Sequence, residues 1–546
     1  MPPGTRRVQV DGSYLIVRPE MQTAELLILL LISVAGFGLL ARKIQVPDPI
    51  VLVLGGLVVS LIPGLPSVEL DPQYVFLIVL PPLLYAQAWF TSWKDFCDNL
   101  RPIVMLGVGL VLFTMTAVAY VVHALVPEVP LAAAFALGAI VSPPDAVAAS
   151  AIAQRLRLPK QLVVILEGES LVNDATGLVA LKFALAALAT GSFSMGRASA
   201  EFLLVASGGV LMGLLVGWVF AKLLKWIRDD LIDIVLSLIT PYVAYLGAER
   251  LHLSGVLASV AAGIYLGARS PELLSASARL TGAAFWNALV FLLNGVVFML
   301  IGLQLPEVIR GLHDHPPREL LLYAVVVGGV VIVTRMIWVF PGAYLPRFLS
   351  SRIRARDPYP PWQNVAVAGW CGMRGVVSLA AALTVPHVLP DGREFPERDL
   401  ILFLTFCVIL TTLVGQGLTL PAVIRRLGVT TGQTEEHVER EARRSAAKAA
   451  LKRIEEIVAI ERLTEEAIQV VTGLYEDRLN HLGDELAENL GWSPRRQRSI
   501  EARRLRRAAV AAERQEIIAL HRRHHLSKDL LHKLERELDW EETRLG

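Results

Sequence analysis

Long apolar runs dominate this chain up to about residue 426. From residue 23 onward, apolar runs of roughly 17 to 28 residues alternate with short loops. About 20 consecutive apolar residues cross the ~30 Å hydrocarbon core of a bilayer as one α-helix. Charged residues dominate the remaining C-terminal part. The pattern predicts an all-α polytopic membrane domain followed by a polar helical tail.

The apolar runs predict about thirteen transmembrane helices. The predicted spans lie near residues 23–41, 49–64, 74–91, 102–126, 131–153, 161–190, 201–225, 231–249, 254–268, 281–305, 319–346, 364–388 and 399–424. The second and the ninth are short for a full crossing. We therefore divide the chain into an N-terminal extension (1–20), a transmembrane domain (21–428) and a cytoplasmic tail (429–546).

The loops carry an uneven distribution of basic residues. Loops after odd-numbered spans hold about 18 Lys and Arg, whereas loops after even-numbered spans hold about six. Basic loops stay on the cytoplasmic side of a membrane. This asymmetry predicts an external N-terminus and a cytoplasmic tail in a plasma (inner) membrane. The 1–20 extension has no apolar stretch that would make it a signal peptide, and it is interpreted as a tail.

Composition narrows the class of protein further. The chain is 54% hydrophobic and 19% charged, and its mean hydropathy is +0.52, which is unusual for a soluble protein of this length. The net charge of +2 gives no reason to expect nucleic acid as a partner. Cys97, Cys371 and Cys407 lie too far apart in sequence to suggest a metal motif.

Two predicted spans are interrupted at their centres. Val141-Ser-Pro-Pro-Asp145 places two prolines in the fifth span, and Gly372-Met-Arg-Gly375 places glycines and a charge in the twelfth. The two spans are seven positions apart in chain order, an odd number, so they cross the membrane in opposite senses. Broken helices at matching places in two halves indicate inverted repeats, here spans 1–6 and 8–13, with an ion site at the midplane.

The interruptions expose partly charged helix ends. Asp145 is suited to neutralise helix N-termini, and Arg374 is suited to neutralise C-termini. Sequence alone leaves open whether the two residues only stabilise the break or also contact a transported ion.

The sixth span carries a polar run, Glu167-Gly-Glu-Ser-Leu-Val-Asn-Asp174, at bilayer depth. Ionised groups there cost about 2.5–3.5 kcal/mol on insertion scales. Asp174 lies roughly 20 Å into the span, near the midplane, and Ser170 shares its face. Hard cations prefer oxygen ligands. A single carboxylate that holds either a cation or a proton would enforce exchange, although Asp174 could instead pair with an internal base.

The other charges of this region suggest supporting roles. Glu169 and Asn173 share the adjacent face of the helix. Arg335, surrounded by apolar residues in the eleventh span, needs an acidic partner, and a structural Glu169–Arg335 ion pair is expected. Glu167 could line a cytoplasmic vestibule or simply be solvated. Lys182 could guard the outer vestibule or extend its amine to the interface.

Several motifs of the apolar region together resemble one family. They are Pro144-Asp-Ala-Val-Ala148, Gly168-Glu-Ser-Leu-Val-Asn-Asp-Ala-Thr176, Gly372-Met-Arg-Gly-Val-Val-Ser-Leu-Ala380 and Gly415-Gln-Gly-Leu-Thr-Leu-Pro421. They resemble the cation:proton antiporter 1 family, which includes the NhaP-type sodium/proton antiporters and the animal sodium/hydrogen exchangers. The resemblance covers residues 23 to about 426.

The resemblance implies a homodimer in which a six-helix core moves like an elevator against a dimerisation domain. It implies that Asp174 carries the sodium ion and the proton, and that Asn173 holds the core structure within the candidate ion site. An Asn at that position, where electrogenic relatives have a second Asp, implies electroneutral one-for-one exchange. The second proline before Asp145 departs from some members, so Ser142 is only a candidate ligand from the fifth span.

The sequence of the tail predicts several charged helices over residues 434–545. Glu435 to Ile460 has an apolar stripe, and Ile500 to Leu526 is rich in Arg and Ala. The cluster His521-Arg-Arg-His-His525 could bind a metal or sense pH, or it could form a solvated helix face. A regulatory or dimer-supporting role is expected for the tail.

The sequence therefore predicts a secondary antiporter rather than an enzyme, exchanging Na+ or Li+ for H+ across the bilayer. No cofactor is expected, because the cations and protons are the transported substrates. K+/H+ exchange on the same scaffold is the nearest alternative. A membrane-embedded hydrolase and an ion sensor are more distant ones.

Overall fold

The computed structural model describes residues 6–10, 13–17, 19–62, 75–156, 158–191, 195–227, 229–312, 316–389 and 392–429, together with parts of 448–476. The chain forms two compact units, Met1–Thr431 and Gly432–Gly546. In the second unit every described residue is helical. The His521–His525 cluster and most of the predicted tail helices lie outside the described residues.

Helices make up nearly all of the described part of the first unit. In chain order they are α1 (Pro19–Ile44), α2 (Asp48–Ser60), α3 (Val75–Phe90), α4 (Trp93–Asp98), α5 (Leu100–Leu125), α6 (Leu131–Val141), α7 (Ala146–Arg155), α8 (Lys160–Thr190), α9 (Met195–Ile227), α10 (Asp230–Arg250), α11 (Gly255–Leu273), α12 (Ala276–Arg310), α13 (Pro317–Leu349), α14 (Ser351–Arg356), α15 (Trp362–Trp370), α16 (Val376–Leu383) and α17 (Arg398–Leu427). Single π-helical turns interrupt α5 and α17 and begin α3.

Each of the thirteen predicted spans coincides with a helix or an interrupted helix pair. Within the described residues, seven helices are long and apolar enough to cross a membrane, and three shorter apolar helices accompany them. The all-helical membrane fold is thus confirmed. The number of crossings and the inverted repeats stay predictions.

The helices of the first unit pack in two groups. In one, α9, α10, α11 and α3 lie side by side, and α12 packs against α1 and α2. In the other, α8 contacts α5, α6 and α7, while α13 packs on α5 and α15. Small residues allow close approach, as between α2 and α12, where a Cβ on Gly56 or Gly302 would overlap the facing backbone.

Both predicted interruptions are present. The fifth span divides into α6 and α7 around Pro143 and Pro144, and the twelfth divides into α15 and α16 around Gly372–Gly375. Proline removes a backbone donor and clashes with the preceding turn, which ends α6 at Val141. The two interruptions touch, because the Asp145 N–H donates to the Met373 carbonyl at 2.6 Å.

The described residues 6–10 and 13–17 of the N-terminal extension form two short strands. Arg6–Val10 pairs antiparallel with Ser13–Val17 in a two-stranded hairpin.

Candidate functional site

Asp145 stabilises the crossing of the two interruptions by accepting hydrogen bonds from the N-terminal ends of two helices. Its Oδ1 accepts the Val147 N–H at 2.8 Å, at the start of α7. The Val376 N–H, the first of α16, also donates to this carboxylate. A Cβ on Gly375 would overlap Asp145 Oδ2, so only glycine permits this approach. One carboxylate thus satisfies two helix N-termini.

Arg374 occupies the complementary position and is fully buried. Its Nε donates to the Val141 carbonyl at 3.0 Å and its Nη2 donates to the Ser142 carbonyl at 3.3 Å, at the C-terminal end of α6. Its Nη1 donates to the Gly372 carbonyl. The guanidinium therefore lies against exposed carbonyl groups at both interruptions.

A second link ties α8 to the interruption of the fifth span. The Asn173 Nδ2 donates to the Pro144 carbonyl at 2.8 Å, and its buried Oδ1 has no hydrogen-bond partner among the described residues. Ser142 donates its hydroxyl to the Ala139 carbonyl at 3.2 Å. Neither Asn173 nor Ser142 lines the cavity described next.

A small cavity opens beside the crossing. Asp174 and Ser170 of α8 line it together with Asp145. The other walls come from α3, α12 and the first turn of α16. Its volume, about 20 Å³, is close to the roughly 10–15 Å³ that one water molecule requires. The space therefore suits a single small ion or water.

Two further polar groups of this cavity were missed by sequence reasoning. Asn294 of α12 and Ser378 of α16 line it, and Asn294 Oδ1 and Ser378 Oγ are buried without partners in the described part of the chain. Buried oxygens are rarely left unpaired, so they indicate room for a ligand. The signals were an isolated Asn in the apolar run Leu289-Val-Phe-Leu-Leu-Asn294 and a hydroxyl in the motif after Arg374. Gln87 of α3 also reaches this wall.

Glu169 and Arg335 form a bidentate ion pair away from the cavity. Arg335 Nη1 lies 2.5 Å from Glu169 Oε1, and Nη2 lies 2.9 Å from Oε2. Arg335 is 0% exposed and Glu169 is 1% exposed. The remaining Arg335 donors reach the Ala368 carbonyl, at 3.1 and 3.3 Å. The pair joins α8, α13 and α15.

The two predicted vestibule residues lie apart from the cavity. Glu167 is half-buried at the start of the polar run and accepts a hydrogen bond from Ser150 of α7. Lys182 is exposed, and its Nζ lies 3.8 Å from Glu249 Oε2 of α10. This ion pair connects the two helix groups, and the sequence did not predict it.

An all-helical membrane domain, with an acidic cavity beside two helix interruptions in contact, defines an ion-transport protein. Comparison with known proteins agrees. The family model described as "Sodium/hydrogen exchanger, transmembrane" matches residues 27–426. The chain belongs to the sodium/hydrogen exchanger family.

Relatives match over most of the chain. An uncharacterized Na+/H+ exchanger of Escherichia coli K12 is 34% identical and the alignment covers 95% of this chain and 98% of that protein. A sodium, potassium, lithium and rubidium/H+ antiporter of Bacillus pumilus is also 34% identical, over 77% of this chain and 65% of its own length. The structure of the sodium/proton antiporter MjNhaP1 of Methanocaldococcus jannaschii matches with a TM-score of 0.60 at 19% identity, over 75% of this chain and 99% of that chain.

Proposed function

We propose that this protein exchanges Na+ or Li+ for H+, with the cation and the proton competing for Asp174. The observation that carries the proposal is the small cavity in which Asp174 lies with Ser170 and two unpartnered oxygens, Asn294 Oδ1 and Ser378 Oγ. Oxygen donors around one carboxylate suit a hard monovalent cation. The protonated carboxyl is neutral and tolerates the same buried position.

The charges around the cavity support a one-for-one stoichiometry. Asp145 already accepts backbone N–H groups from α7 and α16, and Glu169 is paired with Arg335. The neighbouring Asn173 is uncharged and anchors the Pro144 carbonyl. Asp174 is then the carboxylate available to exchange one cation for one proton, so transport moves no net charge.

The packing into two helix groups supports an elevator motion. The group around α8 carries the cavity residues Asp145, Ser170 and Asp174, while α12 and α3 supply the facing wall from the other group. Sliding one group against the other would expose Asp174 to each side in turn. We propose a homodimer in the plasma membrane, with the tail and the loops rich in Lys and Arg on the cytoplasmic side.

Potassium is the second candidate substrate. The Bacillus pumilus relative is named a sodium, potassium, lithium and rubidium/H+ antiporter, which favours a broader cation range. The oxygens of the cavity set no ionic radius by themselves. Comparing Na+, Li+ and K+ in one assay decides between the two.

The test is exchange in proteoliposomes containing a trapped pH dye. Adding Na+ or Li+ should change the internal pH in the wild type, and Asp174→Asn should abolish the change because Asn can neither release a proton nor balance a cation. Glu201→Gln, which alters an exposed carboxylate on α9, is the control and should keep full activity. Full activity of Asp174→Asn would refute the assignment.

A further inference from the structure

A second, larger cavity lies among α3, α10, α11 and α12, and it shares no lining residue with the cavity of Asp174. Its volume is about 270 Å³, near the lower limit of small-molecule sites, roughly 300 Å³. Its lining includes Trp89, Phe90, Asp233, Ser237, Arg279 and Trp286. Exchange as proposed above makes no use of this space.

Asp233 is the unexplained group of this cavity. It is 4% exposed, and its Oδ1 has no hydrogen-bond partner among the described residues. The start of α10 does not need it, because Asp229 Oδ1 already accepts the N–H groups of Leu231 and Ile232 at 3.1 and 3.0 Å. Asp230, one helical turn before Asp233, accepts a hydrogen bond from the Ser275 hydroxyl at 2.7 Å. Leaving a buried carboxylate oxygen without a partner is costly, and a bound cation would remove that cost.

The walls favour an organic cation over a metal ion. The Ser237 hydroxyl donates to the Ile234 carbonyl at 2.7 Å and accepts the Trp286 indole N–H at 3.2 Å, so one of its two lone pairs is already used. A hard metal ion would want several oxygens. An ammonium group needs one carboxylate and aromatic rings, which attract cations. Asp233, Trp89 and Trp286 provide that combination.

The mouth of the cavity carries a positive charge, opposite to that of Asp233, among exposed apolar residues. Arg279 is exposed there, and its Nη1 donates to the Leu274 carbonyl at 2.7 Å. A guanidinium has further N–H donors of the kind that bind phosphate. Leu231 and Leu280 nearby are 74% and 59% exposed. Charge beside exposed leucines is typical of the headgroup level of a bilayer. The helix ends at this mouth are Phe90, Asp230, Leu273 and Ala276.

We propose that this cavity binds the headgroup of an aminophospholipid. The primary ammonium lies against Asp233 between the indoles of Trp89 and Trp286, and the phosphate lies at Arg279. The lipid acyl chains extend along the exposed leucines. The assignment goes beyond ion exchange and stands without it, because no residue of the Asp174 cavity takes part.

The experiment measures lipid retention by the full-length protein with native mass spectrometry. Wild type is titrated with phosphatidylethanolamine, phosphatidylglycerol and soluble ethanolamine. Asp233→Asn should weaken binding of phosphatidylethanolamine about tenfold, which corresponds to about 1.4 kcal/mol. The matched control Asp230→Asn, on the same helix but outside the cavity, should bind as wild type does.

The remaining variant separates the two sources of an ammonium group. Arg279→Gln should weaken phosphatidylethanolamine but not soluble ethanolamine, because only the lipid has a phosphate. Equal binding of phosphatidylethanolamine and phosphatidylglycerol, or unchanged binding by Asp233→Asn, would overturn the proposal. Soluble ethanolamine competing as strongly as the lipid would overturn the lipid assignment.

Discussion

Single residues of the polar run on α8 have separate positions, although they are close in sequence. Asp174 and Ser170 line the small cavity, Glu169 reaches Arg335, and Asn173 reaches the Pro144 carbonyl. Helical spacing predicted this division because residues four apart share a face and adjacent residues do not. The sequence did not predict that Asn294 and Ser378 line this cavity, because a polar residue isolated in an apolar span does not indicate which residues it will contact.

At the scale of single residues, the proposed contribution of Asn294 to cation binding is directly testable. Asn294→Leu should raise the apparent KM for Na+ about fivefold, because one ion–dipole contact of about 1 kcal/mol is lost. Gln304→Leu is a matched control: Gln304 lies on the same helix, is buried and has an unpartnered Oε1, but it does not line the cavity. An unchanged KM for Na+ in Asn294→Leu, measured by dye-based exchange kinetics, would exclude Asn294 as a ligand.

The Glu169–Arg335 pair has a different expected signature. Glu169→Gln or Arg335→Ala should lower the free energy of unfolding by about 3–5 kcal/mol, because each leaves one buried charge unpaired. Thermal unfolding in detergent should show a lower Tm, while the apparent Na+ affinity of residual activity changes little. The double variant Glu169→Leu/Arg335→Met should recover part of the stability. A loss of affinity without a loss of Tm would instead make Glu169 a ligand.

Whole elements follow closely from the apolar pattern. The predicted span over 161–190 is observed as Lys160–Thr190, and the predicted span over 231–249 is observed as Asp230–Arg250. The interrupted spans were also recognised, because proline pairs and glycines break helices for local reasons. What the pattern could not supply is the contact between the two interruptions, which depends on packing across more than 200 residues.

Arg374, at the interruption of the twelfth span, leads to a prediction about stability and exchange. Arg374→Lys should reduce stability and exchange together, because an ammonium is a compact charge and does not match the spread of the Val141, Ser142 and Gly372 carbonyls. Arg318→Ala, at an exposed position, is the control. The checks are Tm and dye-based exchange rate measured on the same preparations. Wild-type values for Arg374→Lys would show that any positive charge suffices there.

At the scale of the molecule, two helix groups meet at the cavity. The group around α8 presents Asp174, and α3 and α12 of the other group close the opposite wall. Lys182 and Glu249 join the two groups at the surface with a 3.8 Å ion pair. Such an exposed pair contributes about 0–1 kcal/mol and would not prevent relative motion of the groups.

The proposed electroneutral exchange is tested on the whole transport cycle. Proteoliposomes held at several membrane potentials should exchange Na+ for H+ at one rate, because in the proposed cycle one cation replaces one proton. Capacitive currents on a supported membrane should be absent for wild type. A rate that follows the imposed voltage would require a second charge to move, and Asp145 would be the first residue to test.

The sequence by itself determined the helices, their interruptions and the faces of α8 on which the polar residues lie. These depend on local hydrophobicity, on the missing N–H of proline and on helical spacing, all of which act within a few residues. Tertiary structure alone decided which oxygens line the cavity of Asp174, and that Asp233 Oδ1 in the second cavity has no hydrogen-bond partner among the described residues. Those facts depend on how distant helices pack, because a buried oxygen is satisfied or left free only by neighbours far away in sequence.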